Sequence, residues 1–148
     1  SLAHAKGLVL RLDVPPATLS ILGDSQQLVQ AFANLIDNGI KFTPAGGTVA
    51  VQVKMADHTV EVVVSDTGIG IAPDDLPRVF ERFFRGKQPG AAHMGGSGLG
   101  LSLVQAIVVS HHGTIDLESA PGQGTTFTVR LPLLTEEAAL EAEHEDTL

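Results

Sequence analysis

The 148-residue sequence contains no cysteine, no tryptophan and no tyrosine. Without cysteine the chain can form neither a disulfide nor a thiolate metal site, which favours a reducing compartment. No apolar run reaches the roughly 18 residues of a membrane span, and no signal peptide precedes Leu8. Because the first residue is Ser1 rather than methionine, we expect a piece of a longer protein. A chain of this length buries roughly 68–70% of its unfolded surface, which is enough for its own core.

Negative charge is concentrated at one end of the chain. The formal net charge is −8, from 17 acidic and 9 basic residues, but residues 135–148 hold six of the acids and no lysine or arginine. The eleven acids and nine bases that remain nearly cancel, so nothing indicates a nucleic-acid surface. We therefore predict one domain over residues 1–134 and an acidic C-terminal tail over residues 135–148.

A helix predicted over about residues 25–40, and capped by Asp24, carries polar side chains on one face. Asn34, Asn38 and Lys41 are spaced four and then three residues apart, so they share that face. Amide oxygens suit Mg²⁺ beside phosphates, and a lysine can neutralise phosphate charge. An ordinary capping or solvated polar face is the alternative. Another face is apolar and is expected to pack into a core; it carries Leu28, Phe32, Leu35, Ile36 and Gly39.

Asp66 closes a strand pattern that is predicted over residues 59–65. A carboxylate at a strand end can accept a hydrogen bond from an exocyclic amine such as that of adenine. Gly68 and Gly70 lack side chains where a flat ring has to approach the backbone. The same Asp-x-Gly-x-Gly sequence is also a good turn, and a turn without a ligand is the alternative.

Three of the six phenylalanines lie within residues 80–84. They cannot all point one way on a helix, so we expect at least one in the core and one or more against a neighbouring loop. Arg85 precedes residues 86–95, a run of small and turn-forming residues without periodicity. That composition is typical of a mobile lid.

The glycine-rich residues 95–101 begin an apolar helix that continues to about residue 111. Free backbone N–H groups at such a helix start favour an anion. A dinucleotide-binding fingerprint would need a glycine where Leu103 stands, and a Walker-type loop would need a Gly-Lys-Ser/Thr sequence after the glycines. Neither condition is met, so both assignments are excluded.

Strand-like runs occur over residues 8–12, 18–22, 48–55, 59–65, 113–119 and 126–131. Gly122 and Gly124 join the last two runs as a hairpin turn, which by itself explains these glycines. Strands with intervening helices predict one layered α/β domain.

Taken in order, these motifs resemble the ATP-binding domain of sensor histidine kinases, whose class includes gyrase B and the heat-shock chaperone and mismatch-repair ATPases. The resemblance covers roughly residues 8–133. It implies the Bergerat ATP-binding fold, an α/β (α+β) two-layer sandwich whose mixed, mostly antiparallel five-stranded sheet is covered on one face by about three helices. The motifs are Asn34…Asn38-x-x-Lys41-Phe42-Thr43, Asp66-x-Gly68-x-Gly70, Phe80-x-x-Phe83-Phe84-Arg85, Gly96-x-Gly98-x-Gly100 and Gly122-x-Gly124-Thr125.

The resemblance also implies a role for each matching residue, with ATP and Mg²⁺ as the ligands. Asn38 is the metal ligand that it implies, supported by Asn34, while Lys41 contacts phosphates and Arg85 assists phosphoryl transfer. Asp66 recognises the adenine amine. The other implied binding residues are Gly68 and Gly70 at the ring, Gly96, Ser97, Gly98 and Gly100 at the phosphates, Phe42, Ile71, Leu99 and Leu101 as apolar walls, and Thr125.

Two absences indicate which reaction to expect. In the gyrase and chaperone branches a glutamate four residues before the metal asparagine activates water, but here that residue is Asn34, which cannot act as a base. Asp37 points about 100° away around the helix and is expected to be solvated. The acceptor histidine of these kinases precedes an acidic residue, and the one histidine that does so, His144, lies in the tail. For His111 and His112, at the end of the third helix, we expect a capping role.

We therefore predict a catalytic domain that passes the ATP γ-phosphoryl group to a histidine on a separate dimerisation domain. The implied partners are that domain and a response regulator receiver domain, with no nucleic acid and no direct membrane contact. We expect a cytoplasmic, monomeric fragment of a homodimeric parent that cannot autophosphorylate alone. Two alternatives stay open: a stand-alone ATPase of the gyrase and chaperone type, and a non-catalytic or anti-sigma-like ATP-binding interaction module.

Overall fold

The computed structural model describes residues 2–16, 19–84 and 100–134. The elements in order are α1 (Leu2–Lys6), β1 (Val9–Asp13), α2 (Ser25–Phe42), β2 (Thr48–Ala56), β3 (Thr59–Asp66), a 3-10 helix (Leu76–Arg78), α3 (Gly100–Ser110), β4 (Thr114–Ser119) and β5 (Thr125–Pro132). None of the helices in these ranges is long and apolar enough to cross a membrane.

The five strands form one sheet in the order β1-β2-β3-β5-β4. Strand β1 runs parallel to β2, and every other neighbouring pair is antiparallel. Strands β4 and β5 form the hairpin expected around Gly122 and Gly124. The predicted mixed, mostly antiparallel five-stranded sheet is therefore confirmed.

One face of the sheet is buried, except along β1, whose residues are all exposed. It is buried because its apolar residues alternate with polar ones and come into register across the strands. Val62, for example, pairs with Val53 on β2 and with Val129 on β5. Helices α2 and α3 cover this face, and short α1 lies at its β1 end, which agrees with the expected helical layer. The main core consists of Leu28, Ala31, Leu35, Val51, Val60, Val62, Val64, Val104, Ile107, Val108, Phe127, Val129 and Leu131.

The other face of the sheet is polar. Glu61 pairs with Lys54 at 3.4 Å and with Arg130 at 3.3 Å, and Arg130 also pairs with Asp116. Partly solvated pairs of this kind contribute little to stability, so burial of the apolar face is what drives this sheet to form.

A hydrogen bond between His111 and Asp24 joins the end of α3 to the start of α2. The Asp24 carboxylate accepts a hydrogen bond from the Gln27 N–H at 3.1 Å, which confirms the predicted N-cap of α2. His111 at the end of α3 bonds the Ile107 carbonyl through Nδ1 at 2.8 Å, while its Nε2 accepts the Asp24 N–H at 3.0 Å. The capping role expected of His111 is thus confirmed, and α3 runs from Gly100 toward the start of α2.

The strand predicted over residues 18–22 is wrong for the part of it that the structure describes. Residues 19–22 form no strand, although Leu19 and Ile21 pack against the core. Leu134 N–H donates to the Ser20 carbonyl at 2.7 Å, beyond the end of β5. Alternating apolar residues are needed here for packing alone, and alternation cannot distinguish that need from pairing within a sheet.

We expect Leu35→Ala to lower the free energy of unfolding by about 2–5 kcal/mol, because truncation leaves a cavity beneath α2. Leu35 is 1% exposed, whereas Val29 on the same helix is 68% exposed. Val29→Ala is the matched control and should change stability by no more than about 0.5 kcal/mol. Urea unfolding followed by circular dichroism measures both, and equal losses would contradict the assignment of the α2 core face.

Candidate functional site

The Asp66 carboxylate lies where β3 ends and the following loop begins. Its Oδ1 accepts hydrogen bonds from the Gly68 N–H at 2.8 Å and from the Thr125 N–H, at the start of β5, at 3.2 Å. Its Oδ2 lies on the side of Gly39 in α2, 3.6 Å from where a β-carbon on that glycine would be. Burial raises the pKa of Asp66, and the two backbone hydrogen bonds oppose that rise. A carboxylate held in this way presents one oriented oxygen acceptor in a partly dehydrated place.

The loop after Asp66 is built onto the end of α2. Ile69 N–H donates to the Phe42 carbonyl at 3.0 Å. A β-carbon at Gly68 would overlap that same carbonyl oxygen and lie 2.8 Å from Asp66 Oδ1. Glycine is therefore required at position 68 for the close approach of two backbones, whether or not a ligand is bound.

The β4–β5 turn supports the same loop from the other side. Gly122 N–H donates to the Ile69 carbonyl at 2.8 Å. Gly70 has a φ of 76°, and a β-carbon there would overlap the Ala120 carbonyl. A β-carbon at Gly124 would overlap the Asp66 carbonyl. Gly122 and Gly124 thus fit the hairpin against the loop after Asp66, a contact that the hairpin interpretation alone did not include.

Ser119, at the end of β4, connects these pieces. Its hydroxyl accepts the Ile71 N–H at 2.9 Å, donates to the Gly124 carbonyl at 2.8 Å, and lies 2.9 Å from the Thr125 hydroxyl. Ile71 is half-buried, and Thr125 is buried. The structure therefore brings together five of the predicted binding residues, Phe42, Asp66, Gly68, Gly70 and Thr125, with Ile71 beside them.

The polar face of α2 also has the expected arrangement. Asn34, Asn38 and Lys41 are half-buried, while Asp37 is exposed, as predicted. Gly39, next to Asn38, packs so closely on β2 that an added β-carbon would lie 3.2 Å from Val49 Cγ1. The polar face therefore borders the Asp66 loop at the C-terminal end of α2.

The donor set on this face fits Mg²⁺ that is bound mainly through phosphate. No group of three or more His, Cys, Asp or Glu residues in residues 2–16, 19–84 and 100–134 could hold a metal by itself. The half-buried amides of Asn34 and Asn38 offer neutral oxygens, which suit a hard cation that keeps water and phosphate ligands.

The phenylalanine motif is divided between core and surface. Phe80 meets Phe127 of the core edge-on, with ring centroids 6.3 Å apart, so the core role expected of one ring is confirmed. Phe83 is 64% exposed, with a φ of 65°, and Arg78 stacks over Phe84 at 4.8 Å. Residues 79–84 form turns rather than a helix.

Some predicted site residues lie outside the described part of the chain. These are Arg85, Gly96, Ser97, Gly98 and Leu99, together with the lid predicted over residues 86–95. Gly100 is the exposed first residue of α3, and half-buried Leu101 packs against the main core.

A cavity of about 540 Å³ lies elsewhere, on the sheet face opposite the helices. Arg11, Asp13, Gln52 and Ser65 are among its lining residues, and none of the motif residues belongs to it. We therefore place the candidate site at the α2 and Asp66 edge and not in this cavity, because the convergent polar groups are at that edge.

The sequence did not reveal two residues that hold this edge together, Ser119 and Lys6. The contact between Ser119 and Ile71 connects residues 48 positions apart, and the two contacts of Lys6 connect residues 34 and 35 positions apart. A single serine at a strand end or a single lysine in a short helix has no spacing signature. Only a comparison of many related sequences could have indicated them.

Comparison with known proteins agrees with this geometry. Residues 23–135 match the family model of histidine kinase-, DNA gyrase B- and HSP90-like ATPases. Among curated relatives, the sensor-like histidine kinase SenX3 of Mycobacterium tuberculosis is 47% identical over 131 residues, which cover 88% of this chain and 31% of SenX3. The sensor histidine kinase RppB of Synechocystis is 40% identical over 134 residues, covering 90% of this chain and 30% of RppB. The chain thus spans about a third of the length of these relatives.

Solved structures show the same fold. The mycobacterial sensor histidine kinase MprB superimposes with a TM-score of 0.80 at 35% identity, covering 89% of this chain and 88% of that one. Full-length ShkA, crystallised with AMPPNP, superimposes with a TM-score of 0.76 at 34% identity over 90% of this chain and 27% of ShkA. The chain therefore belongs to the histidine kinase-, DNA gyrase B- and HSP90-like ATPase family, in which it corresponds to the ATP-binding catalytic domain of sensor histidine kinases.

Asp66→Asn should become progressively more stable than the parent chain as the pH rises from about 4 to 7. Because burial raises the pKa of Asp66, the folded chain binds this proton more tightly than the unfolded chain. Ionisation of Asp66 therefore lowers the stability of the parent chain. This loss begins as the pH passes the unfolded pKa of about 3.9, and it is complete once the pH is above the pKa in the folded chain.

Urea unfolding across this pH range measures the effect, with Asp74→Asn, which removes an exposed carboxylate, as the control. The asparagine oxygen can still accept the Gly68 and Thr125 N–H groups. A stability difference that shrinks as the pH rises would contradict the raised pKa.

Proposed function

We propose that this domain binds ATP together with Mg²⁺ and donates the γ-phosphoryl group to a histidine on a separate dimerisation domain of the same parent protein. An aspartate on the receiver domain of a response regulator would then take the group. The observation that carries the proposal is the oriented, half-buried Asp66 carboxylate beside the polar face of α2. The proposal implies a cytoplasmic location, with residues 1–134 as the functional unit and residues 135–148 as a separate tail.

In this proposal adenine is recognised because the two Asp66 oxygens have different hydrogen-bond partners. Oδ1 is engaged by two backbone N–H groups, which fixes the plane of the carboxylate. Oδ2 can then accept the exocyclic amine of adenine, a donor that guanine replaces with a carbonyl acceptor. Gly68 and Gly70 let the loop after Asp66 pack against the Phe42 and Ala120 carbonyls, which fixes its position beside the ring, and Phe42 and Ile71 are apolar neighbours.

The phosphates belong along the polar face of α2. Asn38, supported by Asn34, would hold Mg²⁺, which supplies charge neutralisation at the phosphate oxygens when it is bound. Lys41, three residues further along, would contact phosphate as a point charge. Backbone N–H groups of Gly96, Ser97, Gly98, Leu99 and Gly100 would complete the phosphate site, and Arg85 would stabilise the transferring group.

Transfer to a histidine fits this face better than hydrolysis does. In the transfer, the bond between the γ-phosphorus and the bridging oxygen breaks, and ADP keeps that oxygen with the bonding electrons. The phosphorus bonds the unprotonated nitrogen of a histidine, and the other ring nitrogen can then release its proton to water. Asn34 cannot take a proton from water, and Asp37 is exposed on a different side of the helix. The domain therefore contributes position and charge, and the acceptor comes from outside it.

Calorimetric titration with a non-hydrolysable ATP analogue tests ATP recognition, and the chain has no tryptophan or tyrosine to report binding by fluorescence. We expect one-to-one binding that is far tighter than binding of the GTP analogue. Asp66→Asn should weaken ATP binding at least about tenfold and reduce the preference over GTP, because an amide N–H₂ would face the adenine amine. Asp37→Asn is the exposed control. An unchanged preference in Asp66→Asn would contradict the adenine assignment.

The metal assignment has its own test. Mg²⁺ should strengthen binding of the analogue by the parent chain, and Asn38→Ala should remove most of that gain, because an amide oxygen ligand is lost. Asp37→Ala changes the neighbouring exposed residue and should leave the gain intact. With an added dimerisation domain, Asn38→Ala should also abolish Mg²⁺-dependent phosphotransfer. Unaltered transfer would contradict the proposed role.

A further inference from the structure

Lys6, in a segment that none of the nucleotide motifs includes, reaches the helix that carries Asn34, Asn38 and Lys41. Its Nζ donates to the carbonyls of Ile40 and Lys41, both at 2.8 Å. These are carbonyls of the last turn of α2 (Ser25–Phe42). The Lys6 side chain is half-buried. The ammonium therefore lies against the end of the helix and not in open solvent.

The two carbonyls belong to a set of four that α2 cannot satisfy from within. The last four carbonyls of any α-helix lack an intrahelical partner. In α2, Gly39 receives the Thr43 hydroxyl at 2.6 Å, and Phe42 receives the Ile69 N–H at 3.0 Å. The other two carbonyls, those of Ile40 and Lys41, both accept hydrogen bonds from Lys6 Nζ. All four carbonyls are thus partnered, and Lys6 alone makes two of the four bonds.

The backbone around Lys6 is itself fixed. Ala3 and Leu8, on either side of it, are buried with Val49 and pack against Ile40. Gly46 N–H donates to the Gly7 carbonyl at 3.0 Å, and Leu8 N–H donates to the Ala3 carbonyl at 2.9 Å. The backbone that carries Lys6 is therefore held in place, so the hydrogen bonds of Lys6 can fix the position of the end of α2 as well as stabilise its charge.

The charge is also placed favourably. The C-terminal end of a helix carries partial negative charge, and a cation there is stabilising. The ion pairs found within residues 2–16, 19–84 and 100–134 use Lys54, Arg78 and Arg130 as their cations, whereas Lys6 is satisfied by backbone carbonyls. Removal of its ammonium would leave two helix-end carbonyls to find water in a partly covered place.

We propose that Lys6 is a positioning residue for ATP: by bonding the last turn of α2 it sets where Lys41 meets the phosphates. This inference rests on the proposed function, since Lys41 has to face phosphate for its placement to matter. Lys6 itself touches no nucleotide in this proposal. Its effect passes through the backbone of the residues that do.

A double-mutant cycle tests the proposal on the whole 148-residue chain. Lys6→Met keeps the apolar stem and removes the donors. Calorimetry gives the Kd of a non-hydrolysable ATP analogue with Mg²⁺ for the parent chain, Lys6→Met, Lys41→Met and the double variant. We expect Lys6→Met to weaken binding about 5- to 10-fold alone but less than about twofold in the Lys41→Met background, because the two residues then act through one interaction.

Adenosine, titrated by NMR, separates positioning of Lys41 from a general weakening of the fold. Lys6→Met should weaken adenosine binding less than about threefold, because no phosphate is present to meet Lys41. Lys54→Met, which changes a lysine on the open face of the sheet, is the matched control and should leave both affinities unchanged. Equal losses for the analogue and adenosine, equal losses in both Lys41 backgrounds, or no loss would each overturn the proposal.

Amide exchange tests the same link without nucleotide. Ile69 N–H bonds the Phe42 carbonyl, so it should exchange faster in Lys6→Met than in the parent chain and in Lys54→Met. Unchanged Ile69 exchange would show that Lys6 does not fix this turn and would overturn the proposal. Failure of the parent chain to bind the ATP analogue would instead contradict the proposed function. Amide exchange at Ile69 would still show whether Lys6 fixes the last turn of α2.

Discussion

The half-buried carboxylate of Asp66 connects three pieces of chain that are far apart in sequence. One of its oxygens holds the Gly68 N–H of its own loop and the Thr125 N–H of β5, while the other lies beside Gly39 of α2. Burial raises the pKa of this group, so keeping it ionised costs folding free energy that a neutral side chain would not cost. Charged groups that lower the stability of a fold are found most often at sites that bind a ligand. The exocyclic amine of adenine is a donor from which this carboxylate can accept a hydrogen bond.

The second constraint is the end of α2, which joins the residues proposed to bind metal and phosphate to those proposed to bind adenine. The Phe42 carbonyl accepts the Ile69 N–H, so the helix bearing Asn38 and Lys41 and the loop after Asp66 are linked by backbone atoms. Gly68 and Gly70 allow this close contact, and the hairpin turn supports the loop from the other side. Under the proposed function, base recognition and phosphate recognition would share this one edge of the domain, so a change in either should affect the other.

Local patterns in the sequence predicted most of this architecture because each depends on nearby residues. Alternation placed β2, β3 and β5 to within one or two residues, and Asp24 marked the start of α2. The same alternation wrongly predicted a strand over residues 18–22, where Leu19 and Ile21 pack without pairing. Lys6 and Ser119 could not be found at all, because their contacts with Ile40 and Ile71 span 34 and 48 positions and follow no period. The motifs predicted which residues belong to the site, but not what holds them in place.

Under the proposed function, the difference between a kinase domain and an ATPase comes down to one helical face. A water molecule at the γ-phosphate needs a base, and the carboxylate nearest to Asn38 in sequence is Asp37, which is exposed about 100° around the helix. Asn34, on the correct face, has no proton affinity to offer. ATP bound along α2 is thus oriented and neutralised without being attacked. The bound nucleotide can then remain intact until a histidine from another domain reaches it. The contacts proposed for adenine hold the nucleotide, and with it the γ-phosphate, in position until that domain binds.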